Sequence, residues 1–323
     1  MSETLNPVTT PERHIYPPTT ISPEARASLS TGAAAPRGPW PDPDDGAGWQ
    51  ARIAQSAAMW GPIAETMIAN AAATLVDEII AGVRCYEARP TGLGEDANRP
   101  IYLFAHGGAF VFGGGDFARA HASVNADRLG CACISVDYRM PPEHPFPAAP
   151  EDVVTVYAAL LERWPGTPIF FGGSSAGGNI AAAAMLLIRD RGLPMPAGLI
   201  LLTPEVDLTE SGDSFRTNEL LDVVLKTSLA PANALYAAGT PLDDPILSPL
   251  FADLGGFPPT FIQTGTRDLF LSNSVLFHRK LRAAGARADL HVWEGMPHSG
   301  FGGATPEDAE IYAEVKAFIA SLI

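Results

Sequence analysis

The stretch FGGSSAGGNI, residues 171–180, sets two adjacent serines in a run of glycines and alanines. A serine hydroxyl attacks a carbonyl only when a base takes its proton and nearby donors receive the oxyanion. A strand-to-helix turn that presents such a hydroxyl is tight and strained, with glycines two residues before and two after the serine. Ser175 has Gly173 and Gly177 in those places, whereas Ser174 has Ala176 where the second glycine belongs. Ser175 is therefore the candidate nucleophile. The bland alternative is a glycine-rich turn whose serine caps a helix. Upstream, His106-Gly107-Gly108-Ala109 offers backbone N–H groups with no side chain in front of them, which suits a tetrahedral oxyanion. The glycines at 113–115 have no Lys-Ser/Thr after them and fit no G-x-G-x-x-G frame, which argues against a nucleotide loop. His106 precedes the serine beside a glycine loop and reads as an orienting group rather than a base.

These residues fall on a recurring pattern. From about residue 78, short β-rich runs (IIAGVRCYEA, IYLFAH, CACISVDY, PIFFGG, AGLILLT, TFIQTG, ADLHVWE) alternate with helical stretches expected at 117–129, 148–163, 176–190, 272–284 and 306–321. Strands alternating with helices imply a mainly parallel sheet covered on both faces, with ligands at the carboxyl ends of the strands. IFFGG reads as a strand and AGGNIAAAAMLLIRD as the helix after it, so Ser175 lies at the join. The helix N-terminus then aims N–H groups and partial positive charge at any oxyanion formed there. Residues 47–73 read as one or two helices. The stretch 205–250, with its acidic turns and a helix-like NELLDVVL, reads as an insertion.

Five motifs carry a resemblance: HGGAF at 106–110, YRMPPEHPFPAAPED at 138–152, GSSAGGN at 173–179, GTRDLFLS at 265–272 and EGMPHSGF at 294–301. Together, over residues ~80–320, the chain resembles the bacterial hormone-sensitive-lipase-like (family IV) carboxylesterases of the α/β-hydrolase superfamily. The resemblance implies an α/β-hydrolase fold with a helical cap and an acyl-ester hydrolase. It divides the chain into an N-terminal cap segment (1–75), a first core part (76–204), a cap insertion (205–250) and a second core part (251–323). It also makes the N–H groups of Gly107, Gly108 and Ala176 the oxyanion donors, and assigns Tyr138, Glu143 and His144 to a supporting turn. Phe110, Phe112, Phe117 and Met140, with cap residues from Trp49 to Met67, are the pocket candidates. The chain departs from the family at Ala109, where HGGG has become HGGA, and at Ser174, where many relatives carry Asp or Thr. It departs again at Leu269, where a proline is usual, and at Gly300, which separates His298-Ser299 from Phe301.

In this family the triad runs in the order Ser, Asp or Glu, His. Three histidines follow Ser175. His278 lies in a helical run and His291 within a strand; His298 lies in the loop after that strand, at the correct sheet edge. Asp268 stands just past TFIQTG and is the favoured acid, with Glu294, at the end of the strand before His298, as its competitor. Asp289 begins a strand, and Asp207 follows a strand one too early. The expected chemistry is ester hydrolysis by Ser175, His298 and Asp268 on short- to medium-chain acyl esters. Lactone opening by the same triad is the alternative, and a non-catalytic ligand-binding scaffold is the reading from another class.

Composition bounds the rest. A chain of 323 residues with 46% apolar and 18% charged residues can bury a large core. The net charge of −15 argues against nucleic acid and anionic membranes as partners. Histidines without H-x-x-x-H spacing argue against a metallohydrolase, so no metal or cofactor is expected. The acidic Asp42, Asp44 and Asp45 lack the offsets of a calcium loop. Cys131 and Cys133 should share one strand face as buried thiols. No apolar h-region opens the chain and no apolar run reaches the ~20 residues of a membrane span, so a cytoplasmic location is expected. Members of the family often pair through the last strand and helix, which makes a homodimer an expectation.

Overall fold

The computed structural model describes residues 12, 14–33, 40–92 and 99–323, so parts of the expected N-terminal segment (1–11, 13 and 34–39) lie outside the described residues. In chain order the elements begin with α1 (Pro23–Ala33), α2 (Gly46–Asn70), β1 (Thr74–Ile80), β2 (Val83–Arg89) and β3 (Ile101–Ala105). Next come α3 (Asp116–Leu129), β4 (Ala132–Val136), α4 (Ala148–Arg163), β5 (Ile169–Ser174) and α5 (Ala176–Asp190). The chain continues through β6 (Gly198–Leu202), α6 (Ser214–Thr217), α7 (Ala230–Ala237) and β7 (Thr260–Gly265). It ends with α8 (Leu271–Ala283), β8 (Ala288–Trp293) and α9 (Pro306–Ala320).

The strands form one sheet in the order β1-β2-β4-β3-β5-β6-β7-β8. It is parallel from β4 to β8, and β2 runs antiparallel to both β1 and β4. The strand order reverses direction between β3 and β5, so the loops leaving these two strands diverge and open a crevice at their carboxyl ends. Alternation along each strand divides the core. Ile101, Leu103, Ile169 and Phe171 pack under α4, α5 and α8, while Tyr102, Phe104 and Phe170 pack under α1, α3 and α9. Cys131 and Cys133 share the second face, as their spacing requires. All three cysteines are free and buried, and burial pushes their thiols well up.

Two local expectations change and a third is narrowed. IIAGVRCYEA is a hairpin rather than one strand, because Ala81 and Gly82 both take positive φ, the geometry of a two-residue primed turn. The helical reading of 47–73 resolves to the single helix α2, which runs through Pro62. NELLDVVL is not helical: the Asp222 carboxylate accepts the N–H groups of Val224 and Leu225, at 2.8 and 3.0 Å, and diverts them from a helical ladder.

A third apolar cluster sits over the carboxyl ends of the strands. It joins Trp49 of α2, Phe215 of α6, and Leu225, Leu229 and Ala232 of the 205–250 stretch to Ala109, Val111, Leu269 and Phe270 from the strand-end loops. The earlier N-terminal residues sit elsewhere. Ile21, Ala25 and Leu29 pack with Met296 and Phe301, and the Ser22 hydroxyl donates to Glu307 at 2.8 Å.

Candidate active site

Ser175 occupies the turn between β5 and α5 with φ 58° and ψ −122°, a strained conformation for a residue with a side chain. The small neighbours make that turn possible. A Cβ on Gly173 would stand 2.1 Å from the Gly177 carbonyl oxygen, and one on Gly177 would stand 2.0 Å from that of Ala105. Both glycines are therefore required by close backbone approach, which is the register that favours Ser175 over Ser174. The Ser175 N–H donates to Leu202 O at 2.9 Å, and the Ser175 carbonyl accepts Gly178 and Asn179 N–H groups, so the elbow is fixed from both sides.

The Ser175 hydroxyl donates to His298 Nε2 at 2.8 Å, and His298 Nδ1–H donates to Asp268 Oδ1 at 3.0 Å. The loops after β5, β7 and β8 thus bring together the three expected residues, which are 6%, 0% and 3% exposed for Ser175, Asp268 and His298. Asp268 is held in turn: Oδ1 also accepts Phe270 N–H at 2.9 Å, and Oδ2 accepts the Thr264 hydroxyl at 2.7 Å. The Phe270 ring meets the imidazole edge-on, with centroids 4.8 Å apart.

The competing residues are engaged elsewhere. Glu294 is exposed, and Asp207 binds the Thr209 and Ser211 hydroxyls. His291 pairs with Glu314, and His278 Nε2 contacts Ala288 O at 3.1 Å. His106 is buried and stacks on Tyr138 with centroids 4.1 Å apart, while the Tyr138 hydroxyl donates to His106 O at 2.7 Å. Burial lowers the pKa of His106, keeping it neutral.

Gly107 abuts the nucleophile; a Cβ there would lie 3.3 Å from Ser175 Cβ. Gly108, at φ 130°, turns the loop back so that its carbonyl accepts Phe112 N–H at 2.8 Å. Among the described residues, the N–H groups of Gly107, Gly108 and Ala176 donate to no protein acceptor. Ala109 takes φ 51° and turns into the third cluster.

The four pocket candidates separate. Phe110 is a core residue, 1% exposed and stacked on Tyr236 at 4.1 Å. Phe112 stacks on Trp40 at 6.1 Å, and Phe117 meets Trp60 of α2 at 5.5 Å. Met140 packs against the main core. Two buried carboxylates close to the site escaped the sequence reading. Glu205 donates its N–H to Ser175 O at 3.3 Å, and Asp222 accepts the N–H of His298 at 3.2 Å. Nothing in their spacing marks either one.

A family model described as the α/β-hydrolase fold matches residues 102–301. The chain belongs to the α/β-hydrolase family. Among solved structures of this family, an esterase 35% identical superposes with a TM-score of 0.91, covering 99% of this chain and 100% of that one. An esterase of the bacterial hormone-sensitive lipase family, 31% identical, gives 0.79 over 94% and 99%. This α/β-hydrolase is also 33% identical to an esterase of Acinetobacter venetianus over 75% of this chain and 80% of that one. It is 35% identical to an acetyl-hydrolase of Streptomyces hygroscopicus over 61% of this chain and 66% of that one. Among the described residues, no helix is long and apolar enough to cross a membrane.

Proposed function

We propose that the protein is a serine carboxylesterase that hydrolyses short- to medium-chain acyl esters through Ser175, His298 and Asp268. One observation carries the reading: the unbroken relay from the Ser175 hydroxyl through His298 to Asp268, with 2.8 and 3.0 Å links. Kinship with esterases supplies the substrate class.

In the first half-reaction His298 Nε2 takes the Ser175 proton as Oγ bonds to the ester carbonyl carbon. The carbonyl π pair moves to oxygen, where the N–H groups of Gly107, Gly108 and Ala176 receive it; one such donor contributes about 10²–10³-fold in rate. Collapse expels the alkoxide, which leaves as alcohol with the proton from His298. In the second half-reaction His298 deprotonates water as it attacks the acyl carbon; collapse breaks the Ser175 Oγ–acyl bond, His298 returns the proton to Ser175, and the acid leaves. Asp268 stays ionised throughout, fixing the imidazole tautomer and stabilising the imidazolium.

The helical segment through α2 and the 205–250 stretch act as the cap, closing over the site through the cluster around Trp49 and Phe270. With Ser175 only 6% exposed, this enclosure favours compact acyl groups. Turnover of p-nitrophenyl esters from acetate to palmitate by wild type, Ser175→Ala and Ser174→Ala tests the proposal. Turnover should peak at short to medium chains and vanish in Ser175→Ala alone; a peak at palmitate, or loss only in Ser174→Ala, contradicts it.

A further inference from the structure

Asp222 lies in the stretch between α6 and α7, far from the triad in sequence, and its carboxylate is completely buried. Its two oxygens do different things. Oδ1 accepts the N–H groups of Val224 and Leu225, which closes its own turn. Oδ2 reaches out of that turn and accepts Leu269 N–H at 2.9 Å and His298 N–H at 3.2 Å. Leu269 directly follows Asp268, so one carboxylate oxygen ties together the backbones that carry the acid and the base. A proline at 269 would have no N–H to give.

A second side chain of the same stretch completes the grip. Asn218 Nδ2 donates to Asp268 O at 2.8 Å and to Thr266 O at 3.2 Å, and Asp222 N–H donates to Asn218 O at 2.9 Å. The peptide unit joining Asp268 to Leu269 is thus held at its carbonyl by Asn218 and at its N–H by Asp222. The turn alone explains Oδ1 but not Oδ2.

We propose that Asp222 is a positioning residue for the reaction, clamping the Asp268 and His298 loops to one another and adding a second negative charge behind the imidazolium that forms during attack. The charged groups that bear on it are Asp268, which opposes its ionisation, and His298, which favours it. Burial, then Asp268, raise its pKa to about 6, while the four backbone N–H groups that its oxygens accept favour the ionised form. Placing a buried carboxylate beside another is unfavourable, and a neutral turn residue would avoid that cost. The inference rests on the triad reading above.

The test compares Asp222→Asn and Asp222→Ser with wild type and Ser175→Ala, measuring kcat, KM and the acidic limb of kcat/KM against pH. Asn keeps the shape but sets an NH2 group among N–H donors. Ser keeps a turn-closing acceptor yet is too short to span to the two loops, and it provides the reading if the Asn variant fails to fold. Both variants should lose about tenfold or more in kcat with KM within about twofold. Loss of the charge should also move the acidic limb about one pH unit lower. Wild-type kcat and an unmoved limb in either folded variant, whatever happens to thermal stability, overturn the proposal while Ser175→Ala remains inactive. Activity in Ser175→Ala would instead overturn the triad reading itself.

Discussion

Asp268→Asn should cost far less than such a substitution costs in triads where the new amide reverses the imidazole tautomer. Asp268 Oδ1 accepts two N–H groups, His298 Nδ1–H and Phe270 N–H, whereas among the described residues Oδ2 meets only the Thr264 hydroxyl. An amide placed with its oxygen at the Oδ1 position satisfies both N–H donors, and its NH2 then faces a hydroxyl that can rotate to accept it. The Phe270 N–H therefore selects the amide orientation that preserves the tautomer, and only the charge is lost. Hydrogen bonds to charged groups contribute about 1.5–3 kcal/mol against about 0.5–1.5 for neutral ones. An imidazolium about 4 Å from a carboxylate at an effective dielectric near 20 gains about 4 kcal/mol. The loss should fall between these bounds, near 2.7 kcal/mol, or about 10²-fold in kcat/KM. Reversed-tautomer triads lose about 10⁴-fold. Steady-state hydrolysis of p-nitrophenyl acetate at pH 8 measures the difference. Adding Thr264→Val to Asp268→Asn removes the partner of the NH2 group and should deepen the loss. A fall of about 10⁴-fold in Asp268→Asn alone would refute the reasoning.

Gly177→Ala should abolish turnover and lower thermal stability, because its new Cβ would stand 2.0 Å from Ala105 O and 2.4 Å from His106 O, pushing α5 off β3; a wild-type melting curve with full activity contradicts this. Glu205 is fully buried, and burial foremost, with the Glu210 and Asp207 charges adding to it, raises its pKa to about 8 against the Asn233 hydrogen bond. Since the folded value exceeds the unfolded one near 4.5, its contribution to stability is fully present below pH 4.5 and is lost as pH rises through 8. Glu205→Gln, which mimics the neutral form, should flatten the pH dependence of the unfolding free energy, read from urea titrations between pH 5 and 8, by up to about 1.4 kcal/mol per pH unit. Parallel slopes in the two proteins would contradict it.

The sequence was legible wherever backbone geometry constrains residue type. Close approach at Gly173 and Gly177 forces glycine, so the motif discloses both the elbow and its register. Helices anchored by packing against the sheet also matched: α5 spans Ala176–Asp190, and α9 begins at a Thr305–Asp308 capping box. Legibility failed where a side chain spends its hydrogen bonds at long range. NELLDVVL has helix-like composition, yet Asp222 uses its carboxylate on its own turn and on residues 47 and 76 positions away. Glu205 is equally silent, since its neighbours Asn179 and Asn233 come from separate helices. Among the pocket candidates, Phe110 illustrates the same limit. Phe110 is aromatic and close to the glycine loop, but positive φ at Ala109 and Phe110 turns its ring into the core against Tyr236.

The central claim is that the Ser175 hydroxyl is made nucleophilic by His298. Labelling with a fluorophosphonate probe, followed by peptide mass spectrometry, tests it directly in wild type, Ser175→Ala and His298→Ala. One adduct is expected, on Ser175, absent from Ser175→Ala and slowed by several orders of magnitude in His298→Ala. An adduct on Ser174, or equal labelling rates with and without the imidazole, would contradict it.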